Sequence, residues 1–86
     1  MIISKKNILK AFGKLVKERR LALALSQEEL GALSELDRTY ISGIERGLRN
    51  LSLTAIVSIS ASLQMTSSEL LQGLENEINE KNGLEQ

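Results

Sequence analysis

Cysteine, histidine, proline and tryptophan are all absent from this chain of 86 residues, and its aromatic side chains are one tyrosine and one phenylalanine. Without cysteine there is no disulfide framework, no thiolate metal site and no cysteine nucleophile. Without histidine the usual proton shuttle, the Ser–His dyad and the imidazole zinc ligand are gone. Lysine, serine and carboxylates remain, but a helical body of this size offers little room for a sheltered pocket. The expectation is a protein that is not an enzyme and holds no metal or other cofactor. Long apolar runs are missing as well. The longest, Leu21 to Leu25, falls far short of the roughly 18 residues of a membrane-spanning helix. Met1-Ile2-Ile3 gives way at once to Ser4-Lys5-Lys6, too short for a signal segment. A single cytoplasmic domain with no membrane partner is expected, near the size limit at which a core outweighs chain entropy.

A net charge is lacking too, with eleven Lys/Arg against eleven Asp/Glu. That neutral average hides a gradient. Met1 to Arg49 holds ten basic and six acidic side chains, leaving +4, whereas Asn50 to Gln86 holds one basic and five acidic, leaving −4. Such a chain can attract a polyanion with one half while the other half does something else.

What is present is helical patterning, and Leu and Ile supply most of the apolar bulk. Ile8, Phe12, Leu15, Val16 and Leu23 fall on one side of a first helix, with Lys10, Lys14, Lys17 and Glu18 outside the stripe. Gly13 weakens that helix by ~1 kcal/mol relative to alanine without ending it. Ser26-Gln27-Glu28-Glu29 is a capping box, so a short second helix starts at Gln27 and is expected to bury Leu30 and Leu33. Asp37 is a good cap for a third helix from Arg38 to Arg46, with Ile41 and Ile44 inward and Gly47 as a left-handed stop. Leu48 to Leu51 reads as an exposed loop carrying Arg49 and Asn50.

Ser52 caps a fourth helix that offers Leu53, Ile56, Val57, Ile59, Ser60 and Leu63 to the core. Period alone is ambiguous there, because Val57, Ile59, Ala61 and Leu63 alternate with polar neighbours as in a strand. A lone strand could not satisfy its edges, so helix is preferred. Thr66-Ser67-Ser68-Glu69 is a second capping box, opening a fifth helix through Leu70, Leu71, Leu74 and Ile78, stopped at Asn82-Gly83 with a frayed end. The expected fold is all-α, a compact five-helix bundle with a single domain over residues 8–78.

Two short helices joined by a tight turn, the second opening on polar side chains, describe a helix-turn-helix over about residues 27–46. Counted from Gln27, such a unit wants apolar groups at positions 4, 10, 15 and 18, and a small residue at 5 where the helices cross. The chain supplies Leu30, Leu36, Ile41 and Ile44, with Gly31 at the crossing. Position 9, usually a left-handed glycine, is Glu35, at a penalty of ~1 kcal/mol.

Leu25-Ser26-Gln27-Glu28-Glu29-Leu30 followed by Ile44-Glu45-Arg46-Gly47 resembles the phage-repressor and Cro-like helix-turn-helix class, with its lambda-repressor-like fold. Within that class, Leu36-Asp37-Arg38-Thr39-Tyr40-Ile41-Ser42-Gly43-Ile44-Glu45-Arg46-Gly47, then Arg49-Asn50 and Leu53, is similar to restriction–modification controller proteins. The likeness runs from Phe12 to Leu74. Departures are Ala24 and Gln64 where the class usually has glycine, Arg19 where it usually has an apolar residue, and a longer acidic tail.

The resemblance implies that the third helix enters the major groove of double-stranded DNA. Arg38 is the leading candidate for base readout, since a guanidinium can bond guanine O6 and N7 together; the alternative is a solvated arginine. Thr39 can offer its hydroxyl to a base or phosphate and its methyl to a thymine. Tyr40 either packs in the core or turns outward to DNA, and its place before Ile41 favours the second. Ser42, one turn after Arg38, reaches the groove or stays clear of it. Gly43 either permits close approach to DNA or is merely exposed. Gln27 at a helix N-terminus, Arg49, Asn50 and Arg46 are candidates for the DNA backbone, which gives affinity rather than sequence choice. Arg20 and Glu45 match a pair that in the repressor class joins the first helix to the end of the third; the alternative is two independent surface charges.

The acidic fifth helix is expected to face away from phosphate. Met65, Leu71, Leu74 and Ile78 exceed what one short helix needs for the core, so some of them, with helix 5 and the tail over residues 67–86, are assigned to a two-fold interface; the alternative is that they simply complete the monomer core. A homodimer would set two recognition helices ~34 Å apart, matching a pseudo-palindromic operator. The family implies an autoregulatory controller of a restriction–modification gene pair, which also contacts RNA polymerase. A phage or plasmid repressor is the alternative, as is an antitoxin whose tail binds a toxin. For an enzyme there is little: Glu28 and Glu29 diverge by ~100° on a helix and cannot flank one substrate, and Gly31, Gly43 and Gly47 form no phosphate loop.

Overall fold

The computed structural model describes residues 3–83. Five helices follow in order: α1 Lys5–Ala22, α2 Gln27–Ser34, α3 Arg38–Glu45, α4 Leu53–Ser62 and α5 Ser67–Gly83. The segment with the strand-like alternation is helix α4. Helix α5 continues through Gly83 rather than stopping before it, and the expected frayed end lies outside the described residues.

Each helix begins on a short polar side chain that satisfies a free backbone N–H. Ser4 Oγ accepts from Asn7 N at 3.0 Å, and Ser52 Oγ accepts from Ala55 N at 3.2 Å. The two capping boxes form in full. Glu29 N donates to Ser26 Oγ at 2.9 Å and Ser26 N to Glu29 Oε1 at 2.9 Å, with the same exchange between Thr66 and Glu69 at 3.0 and 2.8 Å. Asp37 caps α3 by accepting from Thr39 N at 2.9 Å.

The helix ends share one device. Ala24, Glu35, Gly47 and Gln64 all lie in the left-handed region, at φ 58, 57, 75 and 59°. After each, the next residue donates back across six residues: Leu25 N to Arg20 O, Leu36 N to Gly31 O, Leu48 N to Gly43 O and Met65 N to Ser60 O. This is the Schellman closure, with an apolar residue following the left-handed one. Three of the four use a side chain where glycine would be unstrained.

Phe12, Val16, Leu30, Ile41, Ile44, Ile59, Leu63 and Leu70 form the core. Leu33, Leu53 and Val57, expected inside, are 59, 73 and 50% exposed. The reason is helical phase. Helix α2 buries Leu30, Gly31 and Ser34, and α4 buries Ala55, Ile59 and Ser60 ahead of Leu63, so the inward stripes run through small and polar residues. The buried hydroxyls are satisfied within their helices, Ser34 Oγ donating to Leu30 O and Ser60 Oγ to Ile56 O at 2.7 Å, while half-buried Ser58 Oγ crosses to Ser34 O at 2.9 Å.

Close backbone approach sets where α3 sits. A Cβ on Gly31 would lie 2.5 Å from Leu36 O, which is why the α2–α3 crossing needs a small residue. Gly13 is more than a weak point in α1. A Cβ there would lie 2.2 Å from Ile44 O, so the glycine lets α1 meet the C-terminal end of α3. Helix α3 packs on α1 and α2, whereas α5 packs on α1 and α4. Lys14 Nζ to Glu77 Oε1 at 2.8 Å and Arg19 Nε to Leu63 O at 3.0 Å tie α1 to the C-terminal half.

Candidate nucleic-acid interface

Helix α3 is eight residues long and strongly two-sided: Ile41, Gly43 and Ile44 are buried, and Arg38 and Thr39 are exposed in its first turn. Asp37 fixes that turn. Its carboxylate accepts both the backbone N–H and the hydroxyl of Thr39. These hydrogen bonds, the hydroxyl first, together with the nearby Arg38 charge, hold the Asp37 carboxyl below its ordinary value. Thr39 therefore presents its methyl group and a hydroxyl whose proton is already engaged. Ser42 is half-buried one turn on, and its carbonyl accepts from Arg46 Nε at 3.3 Å.

Tyr40 occupies a place between its two readings. It is half-buried and packed against the core, yet its ring carries the Arg49 guanidinium, with Cζ 5.3 Å from the ring centroid. Gly43 is not the exposed position that one of its readings made it, because it is buried beneath the Arg49 side chain. Sequence alone offered no signal for this contact, six residues apart across a loop.

Behind α3 stands a polar brace. Arg20 Nε donates to Glu45 Oε2 at 2.6 Å and Arg20 Nη2 to Glu45 Oε1 at 3.0 Å, while Arg20 Nη1 bonds Leu25 O at 2.7 Å. The two side chains are only 9 and 3% exposed, so this is a buried, two-pronged pair rather than two surface charges. The Glu45 hydrogen bond raises the Arg20 pKa further, keeping its charge fixed. Gln27 joins the network, its Nε2 donating to Glu45 Oε1 at 3.1 Å. The side chain assigned to phosphate is thus held at the N-terminus of α2 by the residue that ends α3. Arg46, Arg49 and Asn50 are exposed at and beyond the end of α3.

The four residues assigned to a dimer face do not share one surface. Leu71, Leu74 and Ile78 line a groove with Ile3, whereas Met65 lines another with Leu15, Leu70 and Gly73. At 100° per residue, Leu71 and Gly73 lie on opposite sides of buried Leu70, which separates the two grooves. Among the described residues no helix is long and apolar enough to cross a membrane.

A family model described as helix-turn-helix matches residues 16–70. The control protein C.MunI of Mycoplasma sp is 50% identical over 64 residues, which span 74% of this chain and 86% of that one. The solved structure of the restriction-modification controller protein C.AhdI from Aeromonas hydrophila is 45% identical, with a TM-score of 0.70, covering 74% of this chain and 96% of that one. The controller protein C.Esp1396I, solved as a tetramer in complex with its natural 35 base-pair operator, is 38% identical with a TM-score of 0.76, covering 83% of this chain and 93% of that one.

Proposed function

Because the chain belongs to the helix-turn-helix family and, within it, to the restriction-modification control proteins, we propose that it is a homodimeric regulator of its own operator and of a restriction–modification gene pair. The observation that carries this is the first turn of α3, where Arg38 and Thr39 stand exposed on a short helix braced from behind by the buried Arg20–Glu45 pair. A side chain that discriminates bases must be aimed by a rigid support, and the brace provides one.

In this proposal Arg38, Thr39, Tyr40 and Ser42 face base edges, and Gln27, Arg46, Arg49 and Asn50 hold phosphates. The dimer face is the groove of Leu71, Leu74 and Ile78 with Ile3, and Met65 is left outside it. Unbroken helix through Gly83 supports a folded dimer element over a toxin-binding tail that orders only on its partner. Such a regulator acts in the cytoplasm, holds no cofactor and performs no catalysis; contact with RNA polymerase is the further partner.

A mobility-shift titration on the DNA upstream of its own gene, beside a scrambled duplex of equal composition, tests this directly. Preferential retardation of the native fragment is the expected result. Equal affinity for both duplexes would contradict operator binding.

A further inference from the structure

Gly13, Gly31, Gly43 and Gly73 sit inside helices, and two of them explain themselves by helix crossing. At Gly13 and Gly31 an added Cβ would strike backbone carbonyl oxygens, at 2.2 and 2.5 Å. Gly73 has ordinary room, with Leu15 no nearer than 3.6 Å. Gly43 differs from all three. Its Cβ would meet one side chain, Arg49, at 2.9 Å from Cγ and 3.2 Å from Nε. Its φ is not positive, as that of Gly47 is, so the backbone does not require glycine there. Glycine is nonetheless a poor residue for the interior of so short a helix. What needs its smallness is the path of Arg49.

That path ends on Tyr40. Tyr40 and Gly43 are three residues apart, hence neighbours on one side of α3, and the Arg49 stem crosses Gly43 to set its guanidinium over the tyrosine ring. A ring beneath the guanidinium holds one of its faces and leaves the N–H edge free for phosphate oxygens. An arginine already held this way loses less rotamer freedom on docking than one moving in solvent.

We propose that Gly43 is a positioning residue, whose missing side chain forms the notch that lays Arg49 across Tyr40 and joins the α3–α4 loop to the readout helix as one phosphate clamp. This rests on the DNA-binding role proposed above.

Gly43→Ala is the informative variant. The obstructing atoms belong to a flexible side chain, so the helix accepts the methyl and Arg49 gives way. Two readouts are needed, one of them independent of DNA. By NMR, the Arg49 side-chain protons of the native protein are shifted by the ring of the only tyrosine, and in Gly43→Ala they return to ordinary positions with the remaining spectrum intact. On a mixed-sequence duplex, Gly43→Ala lowers affinity about threefold to tenfold and flattens the slope of log K against log salt by about one. Adding Arg49→Ala to Gly43→Ala then costs little more, since both remove one clamp. Tyr40→Leu, which leaves the notch intact, releases the guanidinium and gives the same change in slope.

Retention of the ring shifts in Gly43→Ala, or their loss with affinity and slope unchanged, would overturn the clamp while leaving DNA binding in place. A native protein that binds neither this duplex nor operator DNA would overturn the DNA-binding role and the clamp with it.

Discussion

Single side chains divide the task on α3 according to which way they point. Arg38 is exposed in the first turn, and its charge is the last-ranked of the effects on the Asp37 cap, so its replacement separates the proposed base readout from stability. Arg38→Ala should remove operator preference by about 1–3 kcal/mol while keeping much of the general DNA affinity, read by competing operator against random duplex. Equal weakening on both would reassign Arg38 to the backbone. The exposed place of Arg38 in the first turn was legible from the cap at Asp37, and the Arg20–Glu45 pair, 25 residues apart, only from the likeness to the repressor class. Gly43, Leu33 and Val57 were not, since their surroundings come from loop path and helical phase, which no local pattern encodes.

At the scale of the helix, the starts of α2 to α5 were readable from their caps, whereas among the stops only Gly47 and the turn at Glu35 were. A capping box is two polar residues three apart, visible in any sequence. The left-handed stops at Ala24 and Gln64 carry no glycine, and only the apolar residue after each betrays them. Ala24→Gly and Gln64→Gly should each stabilise the fold by about 0.5–1 kcal/mol, relieving left-handed strain partly offset by chain entropy. Gly13→Ala should do the reverse of what helix propensity predicts, because its methyl would meet Ile44 O. Thermal melts of the three variants check all of this; a stabilised Gly13→Ala would contradict the close α1–α3 contact.

The caps also set the response to acid. Glu29 and Glu69 lie below their ordinary pKa because they accept backbone and then hydroxyl hydrogen bonds from Ser26 and Thr66, and Asp37 lies below its own through Thr39. A carboxyl whose folded pKa is depressed adds stability above its unfolded pKa and loses it as pH falls through the folded one. With no histidine in the chain, urea midpoints should be level across about pH 6–8 and fall below about pH 4. A step near pH 6.5 would be unexplained by these residues.

For the whole molecule, neutrality is the sum of unlike halves. The basic half contains α3 and its flanking arginines; the acidic half contains α5, packed on α1 and α4. A polyanion approaching the first is not repelled by the second if α5 is turned away, as it would be in the proposed dimer. Leu71 is 40% exposed beside Leu74 and Ile78, so Leu71→Glu should leave the monomer folded while shifting sedimentation from dimer to monomer. Operator affinity should fall steeply with it, because one half-site then binds alone. A variant still dimeric at micromolar concentration would move the interface elsewhere. The five-helix bundle was legible from caps and stripes together; that Met65 and Leu71 line separate grooves was not, because it needs the packing of α5 on α1.

The most direct measurement is a nuclease footprint of the native protein on the DNA upstream of its own gene. Protection of two related half-sites centred about one helical turn apart, ~34 Å, lost with Arg38→Ala, is the predicted result. Uniform, unplaced protection at concentrations that coat any duplex would contradict a dimeric operator-reading protein.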